Sequence, residues 1–204
     1  MNYHSIAFSE AARLLQAEHG SRASYARIEA RNSTEGLTES EASFIAQQDN
    51  FYMSTIGKSG FPYIQFRGGP KGFLKTLDER TLAFVDFSGN KQYISTGNLA
   101  TNSKTALFLL DQAAKTRLKI FAEAEVLPLE GNAGLLALLK PENYKFTPER
   151  IMVLHVKGYD WNCPQHITPR YTVAEIQTAF ASQAEYIDKL KAENERLKTL
   201  LKQQ

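Results

Sequence analysis

Cys163 is the one cysteine in 204 residues. No internal disulfide can form, and a cytoplasmic setting is the expectation. No run of about 18 apolar residues occurs, which excludes a transmembrane helix. The opening stretch MNYHSIAFSEAARLL lacks the basic segment, apolar stretch and small-residue cleavage site of a secretory signal, so none is expected. Excess charge is missing too: 24 Lys and Arg stand against 22 Asp and Glu, and the formal net charge is +2. The basic residues are spread along the chain, so neither nucleic acid nor an anionic membrane is expected as a partner. Metal ligands are scarce. Cys163 and His166 have a ligand-like spacing, but a structural zinc site needs four ligands and there is no second cysteine. His4, His19 and His155 have no partner at metal spacing, and no metal is expected. Cys163 has no evident orienting acid for nucleophilic work, and a structural role is the reading.

What the chain does have is core material: 43% hydrophobic residues, with 12 Phe, nine Tyr and one Trp. That suits one domain with an appendage. Three zones follow, with boundaries at 1–50, 51–171 and 172–204. The first is helical and is expected to pack on the second. SEAARLLQAEHG, with Ala11, Leu14 and Leu15 and a closing Gly20, reads as an amphipathic helix. After the polar linker RNSTEG, Thr38-Glu39-Ser40-Glu41 forms a capping box: Thr38 accepts from the Glu41 N–H and Glu41 reaches back to the Thr38 N–H. A helix over about 39–48 follows.

The second zone changes character. FYMSTI and FPYIQFR flank Gly57-Lys58-Ser59-Gly60 and read as a hairpin. The GKS tripeptide is not a phosphate loop, because position 52 is Tyr where that motif needs Gly, and no helix follows. TLAFVDF and TALFLLD are further strands. RLKIFAEAEV alternates, with Leu118, Ile120, Ala122, Ala124 and Val126 on one side. NAGLLALLK is a short helix and RIMVLHVKGYDW a last strand. Five or six strands with few intervening helices predict an antiparallel barrel.

The third zone opens on a second capping box, Thr172 with Glu175. Val173, Ile176, Phe180, Gln183, Ile187, Leu190, Asn194, Leu197 and Leu201 then recur at spacings of three and four, a heptad seam. A parallel two-stranded coiled coil is the natural arrangement, with Asn194 at an a position; the competing reading is a helix lying on its own domain.

Three stretches carry candidate chemistry. Arg67-Gly68-Gly69-Pro70-Lys71-Gly72 combines two cations with glycines that let backbone N–H groups approach an anion, or it is a turn with solvated charges. Ser88-Gly89-Asn90-Lys91-Gln92-Tyr93 leads from a strand towards a helix start, with Ser95 and Thr96 as hydroxyl donors, or it is a plain connection. Asp160-Trp161-Asn162-Cys163-Pro164-Gln165-His166-Ile167 packs an indole, two amides and an imidazole into eight residues, which suits a flat heteroaromatic ligand, or Trp161 caps the barrel.

FYMSTIGKSGFPYIQFRGGPKGFLKTLDERTLAFVDFSGNKQYISTGNL, followed by ALFLLD and RLKI, resembles the flavin-nucleotide-binding subgroup of the pyridoxamine 5'-phosphate oxidase-like proteins, and DWNCPQHITPR is similar to a hallmark of that subgroup. The resemblance runs from about residue 7 to residue 176. It implies a mainly β fold with helices (α+β): an FMN-binding split β-barrel with N-terminal helices and a long C-terminal coiled-coil helix. It implies FMN as cofactor, in a groove at the interface of a two-fold homodimer. PYIQFR resembles the family's phosphate-contacting strand, which assigns Gln65 and Arg67 to that end together with Lys71. Lys91-Gln92 stands where the oxidases carry adjacent Arg and Lys, so phosphate binding leans further on Ser88, Asn90, Ser95 and backbone donors. Trp161 corresponds to a Trp near the oxidases' flavin, with Asn162 and Gln165 on the ring or substrate side. The Arg and His that follow that Trp in the oxidases are not reproduced by NCPQH, so synthesis of pyridoxal phosphate is not implied. His166 is the sole candidate for general acid or base. The resemblance thus implies a flavin-dependent oxidoreductase acting on an unidentified small molecule, with an electron donor. The alternative is a non-catalytic flavin sensor or carrier that docks a partner through its C-terminal coiled coil. A third option is haem or deazaflavin in the groove, but haem calls for histidine ligation and the histidines are scattered.

Overall fold

The computed structural model describes residues 3–31, 36–161 and 164–201. They fall into two compact units, one of Met1–Asp111 with Thr116–Gln165 and one of Gln112–Lys115 with His166–Gln204. Four helices come first: α1 (Tyr3–Ala7), α2 (Glu10–Glu18), α3 (Arg22–Arg31) and α4 (Glu39–Ala46). Seven strands follow: β1 (Asn50–Ile56), β2 (Pro62–Gly68), β3 (Lys75–Asp78), β4 (Thr81–Phe87), β5 (Lys104–Asp111), β6 (Thr116–Leu127) and β7 (Pro148–Trp161). A short α5 (Ile94–Leu99) joins β4 to β5, and α6 (Ala133–Leu139) joins β6 to β7. The second unit carries α7 (Val173–Leu201). Among the described residues no helix is long and apolar enough to cross a membrane.

All strand pairings are antiparallel, in the order β2-β1-β5-β6-β7-β4-β3. The β1–β2 hairpin turns where the glycines predict it: Gly60, at a φ of 79°, donates its N–H to the Gly57 carbonyl at 3.0 Å, a conformation in which a Cβ is penalised. β4 reads TLAFV because it is covered on both faces. Leu82 and Phe84 join the barrel core with Phe51, Met53, Leu107 and Ile120, while Ala83 and Val85 pack under α6 with Leu139 and Ile151. The alternation in β6 holds, with Leu118, Ile120, Ala122 and Ala124 all buried.

β2 departs from expectation. Tyr63, Gln65 and Arg67 form its polar side and Ile64 and Phe66 its apolar side, and an apolar side is expected to pack on the core. Ile64 and Phe66 are instead 64% and 57% exposed. In the β1 register Arg67 lies beside Phe51 and Gln65 beside Met53, two core residues. The polar side of β2 therefore faces inward and its apolar side outward. Strand alternation says that the two faces differ; it does not say which is inside.

β7 contains a bulge. Phe121 pairs with Gly158 and Ala122 with Val156, so Lys157 is extra. Before it the even residues Met152 and Leu154 lie in the core; after it Tyr159 and Trp161 pack there. One extra residue in a strand produces this exchange of faces.

The exchange brings Trp161 to α4. The capping box forms as predicted: Glu41 Oε2 accepts from the Thr38 N–H at 2.9 Å and its hydroxyl at 2.5 Å. Glu41 Oε1 accepts from the Trp161 indole N–H at 2.6 Å, and Phe44 meets the indole edge-on at 4.8 Å. The N-terminus is clamped on the barrel as well: Tyr3 stacks on Phe121 at 4.7 Å, and Lys119, which binds Asp160 at 2.8 Å, lies 4.8 Å from the centre of the Tyr3 ring.

Burial pushes the Glu41 carboxyl up, but hydrogen bonds from Thr38 and Trp161 outweigh it and hold the group below its ordinary 4.5. A carboxyl depressed by folding contributes stability above its unfolded pKa and loses it as pH falls through the folded one. Glu41→Gln should cost about 1.5–3 kcal/mol at pH 7 in urea unfolding followed by Trp161 fluorescence. The gap to the parent should narrow below a pH of about 4.5. A gap independent of pH would show that the charge on Glu41 contributes nothing.

Candidate functional site

Inside the barrel the strands stack side chains in layers. Leu82 lies opposite Leu154, Phe84 opposite Met152, and Asp86 opposite Arg150. The first two layers are apolar and the third is charged. β3 pairs with β4 only over Thr81, Leu82 and Ala83. Beyond that, Arg67 reaches across from β2, at the far end of the hydrogen-bonded order, and forms a short ion pair with Asp86. The sheet is thus coiled into a barrel whose open seam is bridged by side chains.

Arg150 joins the cluster, with Nη1 3.5 Å from Asp86 Oδ2 and 2.6 Å from the Thr96 hydroxyl, to which it donates. It also pairs closely with Glu149 and lies 4.9 Å from the centre of the Tyr93 ring. Glu149 Oε1 accepts from Ser88 at 3.0 Å and from the Tyr93 hydroxyl at 3.3 Å. Burial pushes the Asp86 carboxyl up and the Arg67 guanidinium down from their ordinary values, and their mutual attraction opposes both shifts. Each charge is tolerated there because of the other.

This cluster floors a cleft of about 200 Å³. Tyr63, Gln65 and Arg67 of β2 form one wall, Asp86 and Arg150 the floor, and the 89–96 segment the other wall. Ser95 donates to Gln65 at 2.7 Å, tying α5 to β2, and Asn98 donates to Thr55 on β1 at 3.1 Å. The rim is strained. Lys91 and Tyr93 both adopt a left-handed backbone, at φ 60° and 54°, which costs a non-glycine residue about 1–2 kcal/mol. The Asn90 side chain supports that turn by accepting from the Gln92 N–H at 3.2 Å.

Of the residues singled out in the sequence, Gln65, Arg67, Asn90, Lys91, Gln92 and Ser95 line this one cleft. Ser88 sits beside it, bonded to Glu149. Lys71 is exposed and does not line it. The glycines next to Lys71 use their N–H groups on the protein itself, Gly69 on the Asp49 carbonyl and Gly72 on that of Gln48. Trp161 lies eleven positions along β7 from Arg150, on the order of 35 Å of strand at about 3.3 Å per residue, and its N–H is taken by Glu41. Gln165 and His166 are exposed and do not line the cleft. Asn162 and Cys163 lie outside the described residues. Asp86, Glu149 and Arg150 were not singled out. Their signal was present: the inward period of two in Leu82-x-Phe84 and Met152-x-Leu154 runs on into Asp86 and Arg150.

The pyridoxamine 5'-phosphate oxidase profile matches residues 37–156, more than half of the chain and the whole of the cleft. The chain belongs to the pyridoxamine 5'-phosphate oxidase family. Among solved structures, HupZ of Group A Streptococcus is 15% identical over 66% of this chain and 99% of its own, with a TM-score of 0.50. An FMN-binding protein from Syntrophomonas wolfei is 18% identical over 72% of this chain and 97% of its own, with a TM-score of 0.48. No curated protein matches the chain in sequence. The fold is the split barrel that the resemblance implied. Membership of the pyridoxamine 5'-phosphate oxidase family supports FMN as the cofactor, and the cleft fits the phosphate of that group. Arg67 Nε is buried at the cleft with no hydrogen-bond partner in the chain, although an arginine has five N–H donors to satisfy. Lys91 adds an exposed cation at the rim.

The seam cluster should behave as a unit. Arg67→Met and Asp86→Asn should each destabilise the protein, and the double variant should lose less than the two losses combined. The coupling should be about 1–3 kcal/mol in urea unfolding. Strictly additive losses would show that the pair does not bridge the seam.

Proposed function

We propose that the protein is an FMN-dependent oxidoreductase of the pyridoxamine 5'-phosphate oxidase family that works as a homodimer on a small molecule. What supports this reading above all is the convergence of Gln65, Arg67, Asn90, Lys91, Gln92 and Ser95, from separate stretches of sequence, on one cleft. Arg67 and Lys91 supply charge-assisted hydrogen bonds to the phosphate, and Ser95 and Gln92 supply neutral ones. Asp86 holds Arg67 in place and is itself held by Arg150. Bound there, FMN supplies hydride or electron transfer, and the protein supplies binding, orientation and shielding.

The cleft is smaller than the roughly 300–1,000 Å³ of a complete small-molecule pocket. It would hold the phosphate end of FMN, and a second chain would supply the rest of the lining. The outward side of β2 supports that pairing. Ile64 and Phe66, with Tyr52 and Ile56 of β1, leave large apolar side chains in water, and apolar patches of this kind mark interaction surfaces. A second copy covers them. Trp161 then approaches a flavin only from that second copy, given the length of strand between it and Arg150.

A second reading is a flavin carrier or sensor without turnover. It is favoured by the state of the two acids of the cleft, because Asp86 and Glu149 are both paired with arginines. Reduction by nicotinamide donors separates the two readings: reoxidation coupled to a small-molecule acceptor marks an enzyme, and inertness marks a carrier.

The purified protein should be yellow and should release FMN fluorescence on denaturation. Arg67→Ala should weaken FMN binding about 10- to 150-fold in a fluorescence titration, corresponding to about 1.5–3 kcal/mol for a charged contact. Binding unchanged by Arg67→Ala would remove Arg67 from the site. Lys91→Gly separates stability from function: relief of the left-handed backbone should add about 1 kcal/mol of stability while FMN binding weakens. A loss of stability in Lys91→Gly would show that the rim is not strained.

A further inference from the structure

The second unit has chemistry that the barrel does not use. α7 is a helix of 29 residues, about 43 Å long at about 1.5 Å per residue. Its described side chains are exposed along its whole length. Thr172 and Glu175 close a capping box at its start, Glu175 Oε2 accepting from the Thr172 N–H at 2.7 Å and the Glu175 N–H donating to the Thr172 hydroxyl at 3.2 Å. A stripe of large apolar residues follows, and Leu190 and Leu197 in it remain 52% and 51% exposed. A helix gains most of its stability by burying such a stripe.

We propose that α7 pairs with α7 of a second copy as a parallel, in-register, two-stranded coiled coil. Three features select this occupant over any other. Ile187 falls at an a position and Leu190 and Leu197 at d positions, the β-branched and γ-branched choice that favours two parallel strands. Asn194 falls at the next a position, between two apolar layers. An asparagine there is satisfied by the same asparagine of an identical, in-register helix, whereas an apolar groove on another protein leaves its amide unpaired. The flanking charges fix direction. Glu193 is at g, and Lys191 and Lys198 are at e. In a parallel pair each g residue meets the partner's e residue five positions on, which sets Glu193 against the partner's Lys198 twice over. An antiparallel pair sets e against e, and both e residues here are lysines. Lys198 is available for that contact: in the chain alone its Nζ lies 2.7 Å from Glu195 Oε1, an exposed pair three residues apart worth only a few tenths of a kcal/mol.

The full-length protein tests this directly. In a Cys163→Ser background, Leu197→Cys places a thiol in the seam and Glu195→Cys places one on the outward face. Mild oxidation should convert Leu197→Cys to a covalent dimer on a non-reducing gel and leave Glu195→Cys monomeric. A Leu197→Cys protein that stays monomeric, or a Glu195→Cys protein that cross-links equally, overturns the pairing. Adding Glu193→Lys to Leu197→Cys should slow cross-linking severalfold, and adding Lys198→Glu as well should restore it. A restored rate supports the parallel register; equal rates in the two charge variants overturn it. All these positions lie on an exposed helix, and unchanged thermal unfolding of the barrel confirms that folding is intact.

Discussion

The ion cluster of Arg67, Asp86 and Arg150 is the constraint on which the rest turns. An antiparallel barrel with an interrupted wall leaves an edge that must be satisfied. Here β3 covers only the first half of β4, and a buried charge from each side bridges the remainder. The apolar layers of Phe84 with Met152 and Leu82 with Leu154 end at this point, and the cleft begins. The same charges therefore close the fold and create its polar mouth. Buried charges add little net stability compared with well-packed apolar groups, so their presence at the seam reflects the cleft more than the core.

Local patterns in the sequence translated faithfully. The capping box at Thr38 and Glu41, the alternation in β6 and the unbroken apolar run of β4 all depend on neighbours within a few positions or on a single period. What failed was non-local. The alternation in β2 separated polar from apolar side chains correctly, yet its apolar side faces outward, because the polar side meets Asp86 of a strand that pairing alone keeps at a distance. Asp86 and Arg150 went unnoticed because each looks like the polar end of a strand until the two are set opposite one another. The place of Trp161 beside α4 depends on the extra residue at Lys157, of which the local sequence gives no sign. β3 escaped notice because it has four residues, and α3 because RASYARIEAR lacks a clear apolar stripe. It is anchored by Glu29, which pairs with Arg13 of α2 at 2.8 Å, and by Tyr25, which meets Phe8 edge-on at 5.3 Å.

The rim of the cleft illustrates a familiar opposition. Two residues within three positions hold left-handed backbones without being glycine, and such conformations persist only when the surroundings impose them. The Asn90 amide, the Arg150 guanidinium over Tyr93 and the Ser95–Gln65 bond supply that restraint. The segment joining β4 to α5 is therefore tied on both sides, to Arg150 of β7 and to Gln65 of β2.

The bulge in β7 gives the length of that strand the force of a reading frame. Downstream of Lys157 every side chain is in the opposite phase from those before it. Removing one residue there would turn Tyr159 and Trp161 to water and carry Asp160, now bonded to Lys119, into the apolar interior. No replacement of a single side chain in the strand would exchange inside for outside so completely. At this point of the barrel the number of residues is as strictly determined as their identity.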